Sequence, residues 1–105
     1  MQDVSILKNL PGLEVIALTV NQINTLKDFS TLYNLRELYL RRNFIPANLN
    51  EIRYLTGLKN LKTLNLGENP ISAKQGGIPF YRSVVLKYLP WLEKLDDVAV
   101  SYDEI

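Results

Sequence analysis

Cysteine and histidine are both absent from this chain. Without cysteine there is no disulfide framework and no thiolate chemistry. Without histidine the usual general base and the commonest metal ligand are gone. Charge of one sign is also lacking. Twelve Lys and Arg oppose eleven Asp and Glu, a net charge of +1, which gives no pull toward a polyanion such as nucleic acid. No apolar run approaches the length that spans a bilayer, so no membrane insertion is expected. Residues 1–12 have no basic segment followed by a long apolar run. A secretory signal is therefore not expected, and the cytosol is the default compartment. Carboxylates, lysines and tyrosines remain for acid–base work, and none stands in a recognisable nucleophile–base arrangement. The chain reads as non-enzymatic and without a cofactor. Its 105 residues, 47% of them hydrophobic, suit one globular domain spanning residues 1–105.

What is present is a repeat. LRELYLRRNFI carries Leu35, Leu38, Leu40, Asn43 and Ile45, the pattern LxxLxLxxNxI. The same frame recurs upstream in Leu13, Ile16, Leu18, Asn21 and Ile23, and downstream in Leu61, Leu64, Leu66, Asn69 and Ile71. This is the core of a leucine-rich repeat. Leu13 and Leu35 are 22 residues apart, and Leu35 and Leu61 are 26 apart. The expected fold is a short α/β solenoid. About four short parallel strands line its concave face, and helical or irregular segments return along the convex face.

In chain order, Asp3 or Ser5 caps a short helix with Ile6, Leu7 and Leu10 on its apolar face, and Pro11-Gly12 stops it. A strand is expected over about Val15 to Val20, with Ile16 and Leu18 pointing inward. Asn21 then turns the chain, its amide satisfying backbone groups. Ile23, Leu26, Phe29 and Leu32 continue the core. The four extra residues of the second repeat fall in its return. Leu49, Ile52, Leu55 and Leu58 there recur every three residues, as on a helix or 3₁₀ segment. Asn69-Pro70 reads as a turn and Gly76-Gly77 as a flexible loop. Val85, Leu86 and Leu89 form one helical face that Pro90 ends. Trp91, Leu92 and Leu95 make a last strand-like rung, and VAVSYDEI faces water. Residues 80–105 thus form the C-terminal cap that covers the open end of the core.

The 22-residue step resembles the intracellular leucine-rich-repeat proteins of the protein-phosphatase-regulator type. The ending YRxxVLxxLPxLxxLD, Tyr81 to Asp96, is similar to the cap of that class, which spliceosomal, acidic nuclear and axonemal members share. LEVIALTVNQINTL, LRELYLRRNFIP, YLTGLKNLKTLNLGENP and YRSVVLKYLPWLEKLD together resemble the N-terminal domain of a cilia- and flagella-associated leucine-rich-repeat family. The resemblance implies a location at the cilium base, basal body or flagellum. It also implies action through protein partners that include a NIMA-related kinase, a further strand upstream of Met1, and a C-terminal oligomerising helix. The alternative on the same scaffold is a nuclear ribonucleoprotein or phosphatase-regulatory module.

Tyr39, Arg41 and Arg42, with Glu37, are expected to form an aromatic and basic patch on the concave sheet. Tyr and Arg are favoured anchors at protein interfaces. Val15, Ala17 and Thr19 extend that face as a smoother strip, and Thr63 and Asn65 occupy the exposed slots of the next strand. A nucleic-acid site at Arg41 and Arg42 is disfavoured by Glu37 and Glu68 nearby. Asp96, Asp97, Asp103 and Glu104 lack calcium-loop spacing and read as a solvated chain end. Gly76-Gly77 lacks the following lysine of a phosphate loop. Trp91 reads as packing within the cap. The outer edge of the first strand leaves ladder groups unpaired, so weak self-association through it, or a local twist of Met1 to Ser5 that blocks it, is expected of these 105 residues alone, and an upstream strand would abolish the association.

Overall fold

The structure, a computed structural model, describes residues 3–104. Five strands form one sheet in sequence order: β1 (Val15–Ala17), β2 (Glu37–Tyr39), β3 (Thr63–Asn65), β4 (Lys94–Leu95) and β5 (Val98–Ala99). The first four are parallel, with Ile16, Leu38, Leu64 and Leu95 aligned rung on rung. All four are buried. The alternation of a strand sends them to one face, so one residue per rung stacks on its equivalent in the next. Each such leucine contributes about 1.5–3 kcal/mol by leaving water.

The regular part of β1 is shorter than Val15 to Val20. Ladder bonds nevertheless continue past it, from Leu18 N–H to the Tyr39 carbonyl and from Val20 N–H to the Arg41 carbonyl, both 2.9 Å. At Val20 the backbone turns left-handed, φ 58°, and regular pairing ends. Leu18 is half-buried.

The convex side is built from short pieces: 3₁₀ turns at Lys27–Phe29 and Pro70–Ser72, and the helix α1 (Leu49–Arg53). Ile52, Leu55 and Leu58 are fully buried as their spacing predicts, and Leu49 is half-buried. Asn69-Pro70 opens a 3₁₀ turn rather than a simple bend: Ser72 N–H donates to the Asn69 carbonyl at 3.1 Å, and Ser72 Oγ accepts from Asn69 N–H at 3.3 Å. The loop at Gly76-Gly77 is more tightly held than its composition suggests. Ile78 N–H donates to the Ile71 carbonyl at 3.1 Å, and a side chain at Gly77 would collide with the Ala73 backbone.

At the N-terminal end a 3₁₀ turn spans Ser5–Asn9. Asp3 Oδ1 accepts from Ser5 N–H at 2.9 Å. The turn fully buries none of its own side chains: Val4 just before it is buried, and Leu7 is half-buried against the core. Ile6 is 65% and Leu10 48% exposed. A 3₁₀ turn eclipses residues three apart, which puts Val4 and Leu7 on one side and turns Ile6 away, and Leu10 lies beyond the end of the turn.

The cap is the helix α2 (Tyr81–Tyr88) followed by the β4–β5 hairpin. Val85, Leu86, Leu89 and Leu92 are buried. The fifth, antiparallel strand was not expected. Asp96 and Asp97 both take positive φ, 51° and 69°, between Leu95 and its partner Val98. That is the backbone a two-residue hairpin turn requires, reached here without glycine because Asp tolerates it. Arg82 ties the cap together. Its guanidinium donates to the Leu95, Val98 and Ala99 carbonyls and pairs with Glu104 at 2.6 Å.

Candidate protein-interaction surface

The register that stacks the leucines inward sets the intervening residues out on the opposite face in rows. Val15, Glu37, Thr63 and Lys94 align in one row, and Ala17, Tyr39 and Asn65 in the next. Thr19, Arg41 and Gly67 follow along the same ladder. Val15, Ala17, Thr19 and Arg41 are exposed, while Glu37, Tyr39 and Thr63 are half-buried. The Tyr39 hydroxyl donates to Glu37 Oε1 at 2.5 Å. That bond to a carboxylate raises the hydroxyl pKa and fixes the ring across the centre of the face. Gly67 leaves room for Arg41, whose stem lies 3.8 Å from where a side chain there would begin. Arg41 reaches Glu68 at 2.8 Å. Glu37, Tyr39 and Arg41 thus share one face with a small apolar strip on β1.

Two expected members are placed differently. Asn65 is buried, at 6% exposure. Its amide donates to Asp97 Oδ2 at 3.1 Å and its Oδ1 accepts from Gly67 N–H at 2.9 Å. The cap hairpin folds over this end of β3 and takes the slot out of the open face. Arg42 adopts φ 60°, so it leaves the concave rows for the turn at the strand ends, where it lines a cleft with Phe44 and Glu68.

Asp96 is also more than a solvated chain end. It is half-buried, and its Oδ1 accepts from Leu66 N–H at 2.7 Å. Burial raises its carboxyl pKa against the lowering effect of that bond. Trp91 packs against the core as expected, with the Lys59 ammonium 3.9 Å from its ring centre.

Two buried polar devices hold the rungs that carry the surface. Asn43 is 4% exposed. Its amide donates to the Leu40 carbonyl of its own repeat and the Leu18 carbonyl of the previous one, and its Oδ1 accepts from Ile23 N–H. Asn69 repeats this one rung on, with Leu66, Leu40 and Ile45. Glu51, buried at 7% exposure, accepts from Leu26 N–H at 2.6 Å and from the Thr25 hydroxyl at 3.1 Å. It ties α1 to the return of the preceding repeat. The asparagines were visible in the sequence motif. Glu51 was not, since a glutamate in the first turn of a short helix reads as a surface residue.

Among the described residues no helix is long and apolar enough to cross a membrane, and no cluster of His, Cys, Asp or Glu has metal-binding geometry.

No protein-family model matches the chain. It is 49% identical over 106 residues to human cilia- and flagella-associated protein 410 and 46% identical over 105 residues to the mouse protein. Both alignments cover all of this chain, but it spans only about two fifths, 40% and 41%, of those relatives' length. Among solved structures, an internalin from Listeria monocytogenes superposes with a TM-score of 0.71 at 26% identity, covering 90% of this chain and 25% of the internalin. A leucine-rich-repeat protein from Leptospira interrogans gives 0.66 at 30% identity, covering 91% and 22%. Sequence frame, stacked parallel rungs and these likenesses agree: the chain is a leucine-rich-repeat domain, similar over its whole length to part of cilia- and flagella-associated protein 410.

Proposed function

We propose that the chain is a non-enzymatic protein-interaction module of the cilium base, basal body or flagellum, binding its partners through the concave rows. The observation that carries this reading is the in-register array of Val15, Ala17, Thr19, Glu37, Tyr39, Arg41 and Thr63 on one face. Such a face offers extended, rigid contact area, and repeat proteins use their curved sheet surface in this way. Tyr39 and Arg41 are its central anchors, and Val15 and Ala17 its apolar flank. The ciliary assignment is supported by the identity to the human and mouse proteins. Ciliary-base proteins, a NIMA-related kinase among them, are the proposed partners. Proximity labelling from this chain in ciliated cells tests the reading. Enrichment of basal-body proteins is expected. Enrichment of spliceosomal or phosphatase components in their place would favour the nuclear or phosphatase-regulatory module.

A weaker self-association is proposed at the edge of the sheet. Within the described residues β1 pairs only with β2, and Val15, Ile6 and Leu10 are exposed near that end. In the 105-residue chain by itself this edge favours pairing with a second copy, and an upstream strand of the kind the resemblance implies would cover it. Light scattering against concentration measures it, and a strictly monomeric protein at high concentration would exclude it.

A further inference from the structure

Between Glu68 and Glu93 the chain holds no Asp or Glu, and that stretch carries Lys74, Arg82 and Lys87. It includes the loop after the third rung and the cap helix α2. On α2, Val84, Lys87 and Tyr88 fall at the spacings of one helical face, turned away from the buried Val85, Leu86 and Leu89. That face and Leu49 of α1 border an open groove of about 460 Å³, with Ile78 and Pro79 completing its wall. Leu49, Ile78, Val84 and Tyr88 are half-buried, so each keeps part of its apolar surface in water. The loop wall is already fixed. Ile78 N–H donates to the Ile71 carbonyl at 3.1 Å, and the Ala73 backbone crowds Gly77. An apolar surface rimmed by polar groups is the kind that binds other proteins.

The charge around this groove has one sign. Among the described residues of its lining, Lys87 is the one charged group, and no carboxylate stands there. Lys74 lies two residues before Gly76 of the lining, and Arg53 one helical turn on from Leu49. Among the described residues none of these three cations makes an ion pair. Arg82 differs, being paired with Glu104 inside the cap. The one acid of α1, Glu51, is buried and committed to the Leu26 N–H and the Thr25 hydroxyl. Positive charge therefore stands uncancelled along both helices, and complementarity selects a negative occupant. We infer that this groove between α1 and α2 is a second docking site, for an acidic amphipathic segment of a partner protein. The segment lays apolar side chains on Leu49, Ile78, Val84 and Tyr88 and a carboxylate on Lys87. The site uses none of the concave rows, so its failure would leave the concave reading standing.

A random-peptide display library selected on the whole chain tests it. The recovered peptides are expected to include a class that combines Asp or Glu with Leu, Ile or Phe at helical spacing. A peptide of that class, labelled and followed by fluorescence anisotropy, should weaken as salt rises. It should lose about tenfold or more in affinity against Ala47→Glu, which puts a carboxylate into the groove, and against Lys87→Glu. Lys87→Arg should keep the binding. Ala47 and Lys87 are both exposed, and chemical denaturation checks that each variant folds. The absence of such a class, or a class that binds both glutamate variants as tightly as the parent, would overturn the inference. So would a concentration-dependent dimer of the parent, seen by light scattering, that Ala47→Glu abolishes, since it gives the groove to a second copy.

Discussion

The amide of Asn65 donates to Asp97 Oδ2 at 3.1 Å across the junction between the last leucine-rich rung and the cap. The same side chain accepts from Gly67 N–H, so both ends of a buried amide are used. Replacing Asn65 with Ala leaves the Gly67 donor without its acceptor, and about 1–3 kcal/mol of stability should be lost. Chemical denaturation measures this. An unchanged midpoint would mean that the cap does not bear on β3 as described.

Asn43 and Asn69 each bridge two repeats through the same set of contacts. Asn43→Ala should therefore cost about 1–3 kcal/mol, and Asn69→Ala a similar amount. Denaturant midpoints of the two variants at constant slope provide the comparison.

Stability near the cap should depend on pH through Asp96. Its folded-state pKa is raised by burial above the ordinary 3.8. A raised acid favours folding most when protonated, so its contribution is present below about pH 3.8 and is lost as pH rises through the folded value. Asp96→Asn keeps an acceptor for Leu66 N–H but carries no charge. The variant should gain stability relative to the parent as pH climbs from acid to neutral. A constant difference across that range would remove Asp96 as its source. Glu104 works in the opposite sense. Its pKa is held down to about 2 by the Arg82 guanidinium, so that contact is lost only as pH falls through that value.

Val20 occupies left-handed backbone that β-branched residues rarely adopt. Val20→Asn should raise stability by about 1 kcal/mol, since Asn tolerates this region and the valine side chain is largely exposed. A thermal or chemical midpoint below that of the parent would show that Val20 is held by packing instead.

Much of the fold was legible because the repeat fixes period, inward face and turn at once. Leu38, Leu64, Asn43 and Asn69 fall where the motif puts them. The second-repeat return was readable from the three-residue spacing of Ile52, Leu55 and Leu58. What the sequence hid arises from contacts between repeats. Asn65 looks like an open-face residue by alternation, and only the cap hairpin buries it. That hairpin turns on Asp96-Asp97, which lacks the glycine that marks such turns. Arg42 follows Arg41 in the chain, but a left-handed backbone separates them onto two surfaces. Glu51 becomes a core acceptor only because the Leu26 N–H of another repeat lies beneath it.

The concave face is tested most directly by affinity capture from ciliated-cell extract with the parent chain and with the double variant Tyr39→Ala, Arg41→Ala. Both residues stand on the sheet face, away from the leucine core, so the variant should keep near-parental denaturation. Ciliary-base proteins recovered with the parent should be lost or sharply reduced with the variant. Equal recovery of every partner by a folded double variant would contradict the assignment of the concave rows as the binding surface.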